Sequence, residues 1–368
     1  MMKNSFLTHI QKVNKPCIHP WFYLWINAAA DVTVCPQNRT RLGSLNNLTI
    51  SEVWNGEKLQ KLRENFLIGD YEEAGCEKEC PYLRGSYTHA KKEIPKEELI
   101  FPDIDLDLIK HENKKVFENL TLAADEYEKN ITSLKSTPSV FDCQSILTCN
   151  ADCIMCGQPH SSKLKHSSIV KDKISNYSTN LATVRWQGGE VFLDKDFVNY
   201  QEKISLANPY LNKVIITNGT LTSSEDIDQL LSQNGNLKFI VSMDGRTKQT
   251  VNKIRYKLKY EKILSTIEYL AHKQKELDKS DIILWNYTVM LSNIDEVSLA
   301  ITLAEELNIS INFAAIQGTY PSENFFEYDI ISNNDWNKYI SLWEKEIEET
   351  SIKISGLDGL KERFKLKS

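Results

Sequence analysis

Between residues 145 and 315, short apolar runs alternate with stretches whose apolar residues recur at helical spacing. Ser145–Leu147, Ala182–Trp186, Lys213–Thr217, Phe239–Ser242, Ile283–Met290 and Ile309–Ala315 read as six strands. Ile263, Ile267 and Leu270 fall at i, i+4 and i+7, and Val297, Ile301 and Ala304 form a similar stripe after Asn293 or Asp295 as its cap. Strands alternating with helices predict an α/β fold with a parallel sheet, and such sheets carry their chemistry at the C-terminal strand ends. Those ends hold Cys149–Cys156, Gly188-Gly-Glu190, Asn218-Gly219 and Ser242-Met-Asp244-Gly245.

The first half follows a different pattern. An aromatic, strand-like run from Trp21 to Asn27 and a second run, Val32-Thr-Val34, predict a hairpin with Cys17 before it and Cys35 after it. A capping box from Thr49 to Glu52 opens a helix through Trp54, Leu59, Leu62 and Phe66, and Cys76-Glu-Lys-Glu-Cys80 closes the segment. From Lys91 to Ser139 the chain is polar and charged. Lys91-Lys-Glu reads as a solvated face, Val116, Phe117 and Leu120 as one helix, and Ser136-Thr-Pro-Ser139 as a boundary. The expected division is 1–95, 96–138 and 139–368.

A chain of 368 residues exceeds what one core usually organises, which agrees with more than one domain. Its composition, 41% hydrophobic and 26% charged, excludes disorder throughout. A net charge of −6 gives no support to a nucleic-acid partner. No apolar run approaches the roughly 20 residues that span a bilayer, and Met1–Gln11 lacks the basic-then-apolar order of a signal peptide; a cytoplasmic location without a membrane partner is expected.

The eight cysteines narrow the chemistry. In a reducing compartment an even count points to metal ligation rather than disulfides. Cys149, Cys153 and Cys156 put three soft ligands on one loop, which suits an iron–sulfur cluster with one iron left open. A zinc-holding or merely buried cysteine loop is the alternative. Cys143, at the head of the first strand, reads as a small buried hydrophobe. His19, beside Cys17, reads as a structural neighbour of a ligand.

The C-x3-C-x2-C spacing of Cys149, Cys153 and Cys156, followed by Trp186-Gln-Gly-Gly-Glu190, resembles the signature of radical S-adenosylmethionine (SAM) enzymes. The resemblance implies a partial (β/α)6 barrel over 139–368, with a [4Fe-4S] cluster on the three cysteines and SAM chelated at the open iron. It also implies that Gly188, Gly189 and Glu190 approach the SAM amino group. Ser242 and Asp244, with Asn252-Lys-Ile-Arg255 after them, resemble the family's segment near the SAM ribose and carboxylate, and Asn218 is a further cofactor-side residue.

The order of cysteine, hairpin, cysteine, Leu42-Gly-Ser-Leu45, Glu52-Val-Trp-Asn55 and a final cysteine pair resembles the auxiliary-cluster module called SPASM, or its one-cluster form called twitch. By that resemblance the small α+β domain at 1–95 precedes the barrel, 96–138 is a helical linker, and Cys17, Cys35, Cys76 and Cys80 bind one auxiliary [4Fe-4S] cluster. Four-cysteine zinc remains the alternative there. Two positions depart from the family pattern: Ala28-Ala-Ala-Asp31 replaces a glycine-bearing turn, and Met155 replaces an aromatic residue before the last barrel cysteine.

What the resemblance implies in function is reductive cleavage of SAM to a 5′-deoxyadenosyl radical that abstracts hydrogen from a peptide or small-molecule substrate. The auxiliary cluster would act as electron acceptor and a flavodoxin or ferredoxin-type protein as donor. Oxidation of a sugar or aminocyclitol alcohol is a second reading, and a non-catalytic iron–sulfur or zinc scaffold a third.

Overall fold

The computed structural model describes residues 17–77, 80 and 106–365. The Lys91-Lys-Glu stretch and the boundary expected at 95/96 lie outside the described residues. Pro20 sits in the first turn of a short helix, His19–Phe22, which takes the front of the expected aromatic strand and leaves β1 as Tyr23–Ile26. β2 (Asp31–Thr33) returns antiparallel, pairing Trp25 with Thr33 and Ile26 with Val32, and β3 (Gly43–Ser44) extends the ribbon.

The hairpin turn works without glycine. Ala30 takes φ +65°, a left-handed conformation that an alanine adopts at a cost of about 1 kcal/mol. The Asn27 side chain offsets it, since Oδ1 accepts from the backbone N–H groups of both Ala29 and Asp31 at 2.9 Å. The capping box forms as expected: Thr49 Oγ1 accepts from the Glu52 N–H and Glu52 accepts from the Thr49 N–H. The helix it opens stops at Trp54, and a second, Glu57–Leu67, follows. The break has a cause in Asn55, whose amide bonds the backbone of Leu134 in both directions, at 2.7 and 3.0 Å. Leu59, Leu62 and Phe66 are buried on one face of the second helix, as their spacing predicts.

The helix containing Val116 and Leu120 spans Lys114–Glu128 and buries both. Beyond it lie the six expected strands: β4 (Val140–Ile146), β5 (Thr183–Gly188), β6 (Asn212–Thr217), β7 (Asn236–Ser242), β8 (Ile283–Val289) and β9 (Ser310–Ala315). A short β10 (Ile354–Ser355) was not expected. β4 begins well before Ser145 and ends before Leu147, and Cys143 is fully buried within it. Ile263, Ile267 and Leu270 line the buried face of Tyr260–Glu276, and Val297, Ile301 and Ala304 that of Val297–Glu306. The latter helix is preceded by a tight 3-10 turn, Leu291–Glu296, so neither Asn293 nor Asp295 caps it. Asn293 instead closes the turn by accepting from the Met290 N–H, and Asp295 accepts from the Tyr339 hydroxyl.

Two compact units divide the described chain without following its order. The first draws on Met1–Thr148, Ser162–Val214 and Gln229–Leu237, the second on Cys149–Ser161, Ile215–Asp228 and Lys238–Ser368. In the first, β4 pairs parallel with β5 and also with β1, from Tyr23 opposite Val140 to Ile26 opposite Cys143. The hairpin is therefore a continuation of the sheet that carries β4. In the second unit, β7, β8, β9 and β10 run parallel in that order. Among the described residues no helix is long and apolar enough to cross a membrane.

Candidate functional site

In the first unit the chain gathers Cys17, Cys35, Cys76 and Cys80. Burial, with the charges of the other three, pushes the Cys17 thiol well up. Burial pushes Cys35 up to about 12 and Cys76 up to about 11, each also feeling Cys80. Thiols that would repel one another as thiolates in a half-buried setting need a cation to stabilise that form. Four soft ligands suit an iron–sulfur cluster, and their number also suits zinc. The Asn38 amide donates to Cys76 Sγ at 3.9 Å and to the Ala74 carbonyl at 2.9 Å, which anchors the third cysteine's turn. His19 lies against Tyr23 with ring centroids 4.5 Å apart, and burial followed by the charge of Arg185 pushes its pKa down to about 4. It is a neutral neighbour of this set.

In the same unit, the end of β5 is built on glycines. Gly188 has φ +142°, and a Cβ there would lie 2.1 Å from the Ile146 carbonyl oxygen. A Cβ on Gly189 would lie 2.0 Å from the Thr148 carbonyl oxygen and 2.5 Å from that of Leu147. The glycines therefore admit the close approach of the backbone that leaves β4. Two hydrogen bonds fasten this approach, Gly189 N–H to Ile146 at 2.7 Å and Glu190 N–H to Thr148 at 2.9 Å. Glu190 is fully buried, and its side chain accepts from the Phe192 N–H.

The second unit contains the loop of Cys149, Cys153 and Cys156. Three backbone bonds lace it down: Cys149 N–H to His160, Asp152 N–H to Tyr256 and Ile154 N–H to Ile254, at 2.9–3.0 Å. All three cysteines are half-buried. Burial pushes Cys153 up to about 11 against the opposing charge of Arg255. Each sulfur has one side-chain nitrogen beside it, each from a different part of the chain: Asn218 Nδ2 at 4.0 Å from Cys149, Arg255 Nη1 at 4.0 Å from Cys153, and His160 Nε2 at 3.2 Å from Cys156.

Asp244 is fully buried in that unit. One of its oxygens accepts from the Thr288 N–H at 2.7 Å, and the other lies 2.7 Å from Arg255 Nη2. Burial raises the Asp244 pKa and Arg255 opposes the rise; burial works against the Arg255 charge, but Asp244 and then Cys153 more than offset it. Asn218 belongs to a closed ring with Asn150 and Thr220, with links of 2.6 to 2.9 Å. Ser242 ends β7 opposite Asn286 and is half-buried. Among the described residues no group of three or more His, Cys, Asp or Glu side chains is arranged to hold a single metal ion.

Residues 144–296 match the radical SAM superfamily, and residues 17–81 match the SPASM iron–sulfur cluster-binding domain. The chain thus carries a radical SAM domain, preceded by a SPASM domain. The mixed α/β fold with its parallel sheet is consistent with the partial barrel of the radical SAM domain, and the two domains imply [4Fe-4S] clusters together with SAM as cofactors. The domain match favours iron–sulfur over zinc at the four-cysteine set.

Several solved structures resemble the chain. Streptococcus suis SuiB bound to precursor peptide SuiA is 13% identical with a TM-score of 0.48, covering 73% of this chain and 62% of SuiB. The anSMEcpe enzyme with bound AdoMet and Cp18Cys peptide is 20% identical with a TM-score of 0.44, covering 59% and 62%. Methylornithine synthase (PylB) is 12% identical with a TM-score of 0.43, covering 62% and 70%. The chain thus spans about three fifths of the length of SuiB. No curated protein matches it in sequence.

The sequence named the seven cysteines, Gly188, Gly189, Glu190, Asn218, Ser242 and Asp244 as candidates. It missed His160, Asp152 and Asn150 as neighbours of the cysteine loop, and took Arg255 only as part of a run. Asp152 is a spacer within the C-x3-C motif and His160 follows the loop, so only the fold of the loop brings them together.

Proposed function

We propose that this radical SAM protein is an enzyme that cleaves SAM reductively and uses the resulting radical to abstract hydrogen from a peptide or small-molecule substrate. When bound, the cluster would supply the electron that breaks the SAM carbon–sulfur bond. Cys149, Cys153 and Cys156 would hold it. The candidate SAM-contacting residues are Ser242 and, by the family resemblance, Gly188–Glu190. Asp244 has both oxygens engaged, so its part is to place Arg255 rather than to meet the ligand.

The observation that carries the reading is the existence of two separate cysteine sets, one in each compact unit, with three and four thiols. Three soft ligands leave an iron for SAM, whereas four close the auxiliary cluster. A closed cluster would offer no iron to a substrate atom, which favours a role as electron acceptor and hence a net oxidation. A flavodoxin or ferredoxin-type donor would supply the barrel cluster.

Anaerobic reconstitution tests this directly. The wild-type protein should hold about eight irons as two cubanes and release 5′-deoxyadenosine from SAM on reduction. Changing Cys149, Cys153 and Cys156 together to Ala should remove about half the iron and all of the cleavage. Full iron in that variant, or zinc in place of iron, would refute the ligand assignment.

A further inference from the structure

Each sulfur of the three-cysteine loop has a side-chain nitrogen of its own, and the nearest is His160 Nε2, 3.2 Å from Cys156 Sγ. Nδ1 of the same ring lies 3.2 Å from Asp152 Oδ1, and the other Asp152 oxygen lies 3.2 Å from Lys257 Nζ. The backbone of His160 accepts from the Cys149 N–H at 3.0 Å. One residue therefore bridges the first and last cysteines, and a carboxylate itself held by a lysine orients its ring. The ring is mostly sheltered, with a side-chain exposure of 16%.

We propose that His160, with one ring nitrogen facing the Asp152 carboxylate and the other facing a cluster thiolate, donates from both as the doubly protonated ring, and that its hydrogen bond to the sulfur of Cys156 raises the reduction potential of the cluster bound there. The inference rests on the reading of Cys149, Cys153 and Cys156 as cluster ligands. The physical argument is electrostatic. Reduction adds one electron and so increases negative charge on the thiolate sulfurs, and an N–H aimed at one of them stabilises the reduced form more than the oxidised one. A hydrogen bond to a charged group in a sheltered site contributes about 1.5–3 kcal/mol, and only part of that differs between the two oxidation states. The expected effect is about tenfold on the reduction equilibrium, or about 59 mV for one electron. Asn218 and Arg255 stand farther from their sulfurs, at 4.0 Å each, so His160 is expected to have the larger effect.

The test is a dithionite titration of the reconstituted full-length protein, with the signal that SAM perturbs followed by electron paramagnetic resonance and with iron counted in every sample. His160→Leu should retain its iron and reduce about tenfold less favourably. His160→Gln, which keeps an N–H donor but not the ring's charge, should recover part of the difference between His160→Leu and wild type. Asp152→Ala leaves the ring in place but unoriented and should shift the potential in the same direction by less.

A wild-type potential in His160→Leu would overturn the proposal, as would a His160→Gln value no better than His160→Leu. If His160→Leu fails to hold the cluster, the Asp152→Ala measurement decides, and an unshifted potential there refutes the role. Nitrogen coupling showing the His160 ring bound directly to iron would also overturn it. Wild-type protein that loads iron only at the four-cysteine set would instead refute the ligand reading on which the proposal stands.

Discussion

Replacing Gly189 with alanine should damage the protein before any cofactor is added. The family role of this glycine suggests that a side chain would obstruct SAM, but the added Cβ would meet the chain itself, 2.0 Å from the Thr148 oxygen and 2.4 Å from its carbon. Contacts closer than 3.0 Å are essentially never made by a real Cβ, so the Thr148 carbonyl would have to retreat by about 1 Å. That movement strains the end of β4 and breaks or lengthens the bonds from Gly189 to Ile146 and from Glu190 to Thr148. Overpacking of this kind costs about 1–3 kcal/mol, and each weakened backbone bond adds up to about 1 kcal/mol. With a total near 2–4 kcal/mol, the apoprotein's Tm should fall by about 3–5 °C. Differential scanning calorimetry of metal-free Gly189→Ala against wild type measures this. An unchanged Tm combined with lost SAM affinity in the reconstituted protein would show that the glycine makes room for ligand and not for the strand.

Two further perturbations probe the hairpin and its contacts. His166 is buried, donates from Nε2 to the Asn27 carbonyl at 2.9 Å, and has its pKa pushed down from 6.5 to about 4, chiefly by burial. The unfolded chain therefore binds a proton that the folded one refuses. Its neutral form stabilises the fold fully above pH 6.5, and that contribution is lost as pH falls toward 4, by about 2 kcal/mol at pH 5. Denaturant titrations from pH 7.5 to 4.5 should show His166→Gln with a shallower acid limb than wild type, and parallel limbs would remove His166 from the account. Asn27→Ala deletes both side-chain bonds that hold Ala30 in its left-handed conformation, and should cost about 1–2 kcal/mol. Because this turn leads into the strand before Cys35, the variant should also load less iron at the four-cysteine set, measured in the Cys149, Cys153 and Cys156 triple-alanine protein. Normal loading would show that the turn does not aim Cys35.

The strands and the candidate cysteine loop were legible because they depend on local pattern: apolar runs such as Phe239–Ser242 and a fixed cysteine spacing identify themselves. Relations made only by folding were not. Nothing near Tyr23 says that it will pair with Val140, which makes the hairpin a continuation of the sheet rather than a module beside it. The one-turn helix at Pro20 and the break after Trp54 were missed for different reasons. The first is a proline effect outweighed on paper by aromatic β-propensity, and the second comes from the distant partner of Asn55 at Leu134. The alanine turn looked like a defect because its compensation lies in the Asn27 side chain, before the turn rather than in it.

The residues around the cysteine loop show the same limit with a functional consequence. A buried ion pair such as Asp244–Arg255 contributes little net stability, since the desolvation of both charges consumes most of their attraction. Its effect here is geometric: Asp244, pinned by Thr288, holds the guanidinium so that Nη1 faces Cys153. His160 with Asp152, and Asn218 with Asn150 and Thr220, repeat the arrangement at the other two sulfurs. In each case a residue that touches a cysteine is itself fixed by a polar partner. Unfixed donors on a half-buried loop would turn toward solvent and leave the sulfurs unsupported. Asp244 and Asn218, which by the family resemblance would face the cofactor, are thus also placed to act on the cysteines through position.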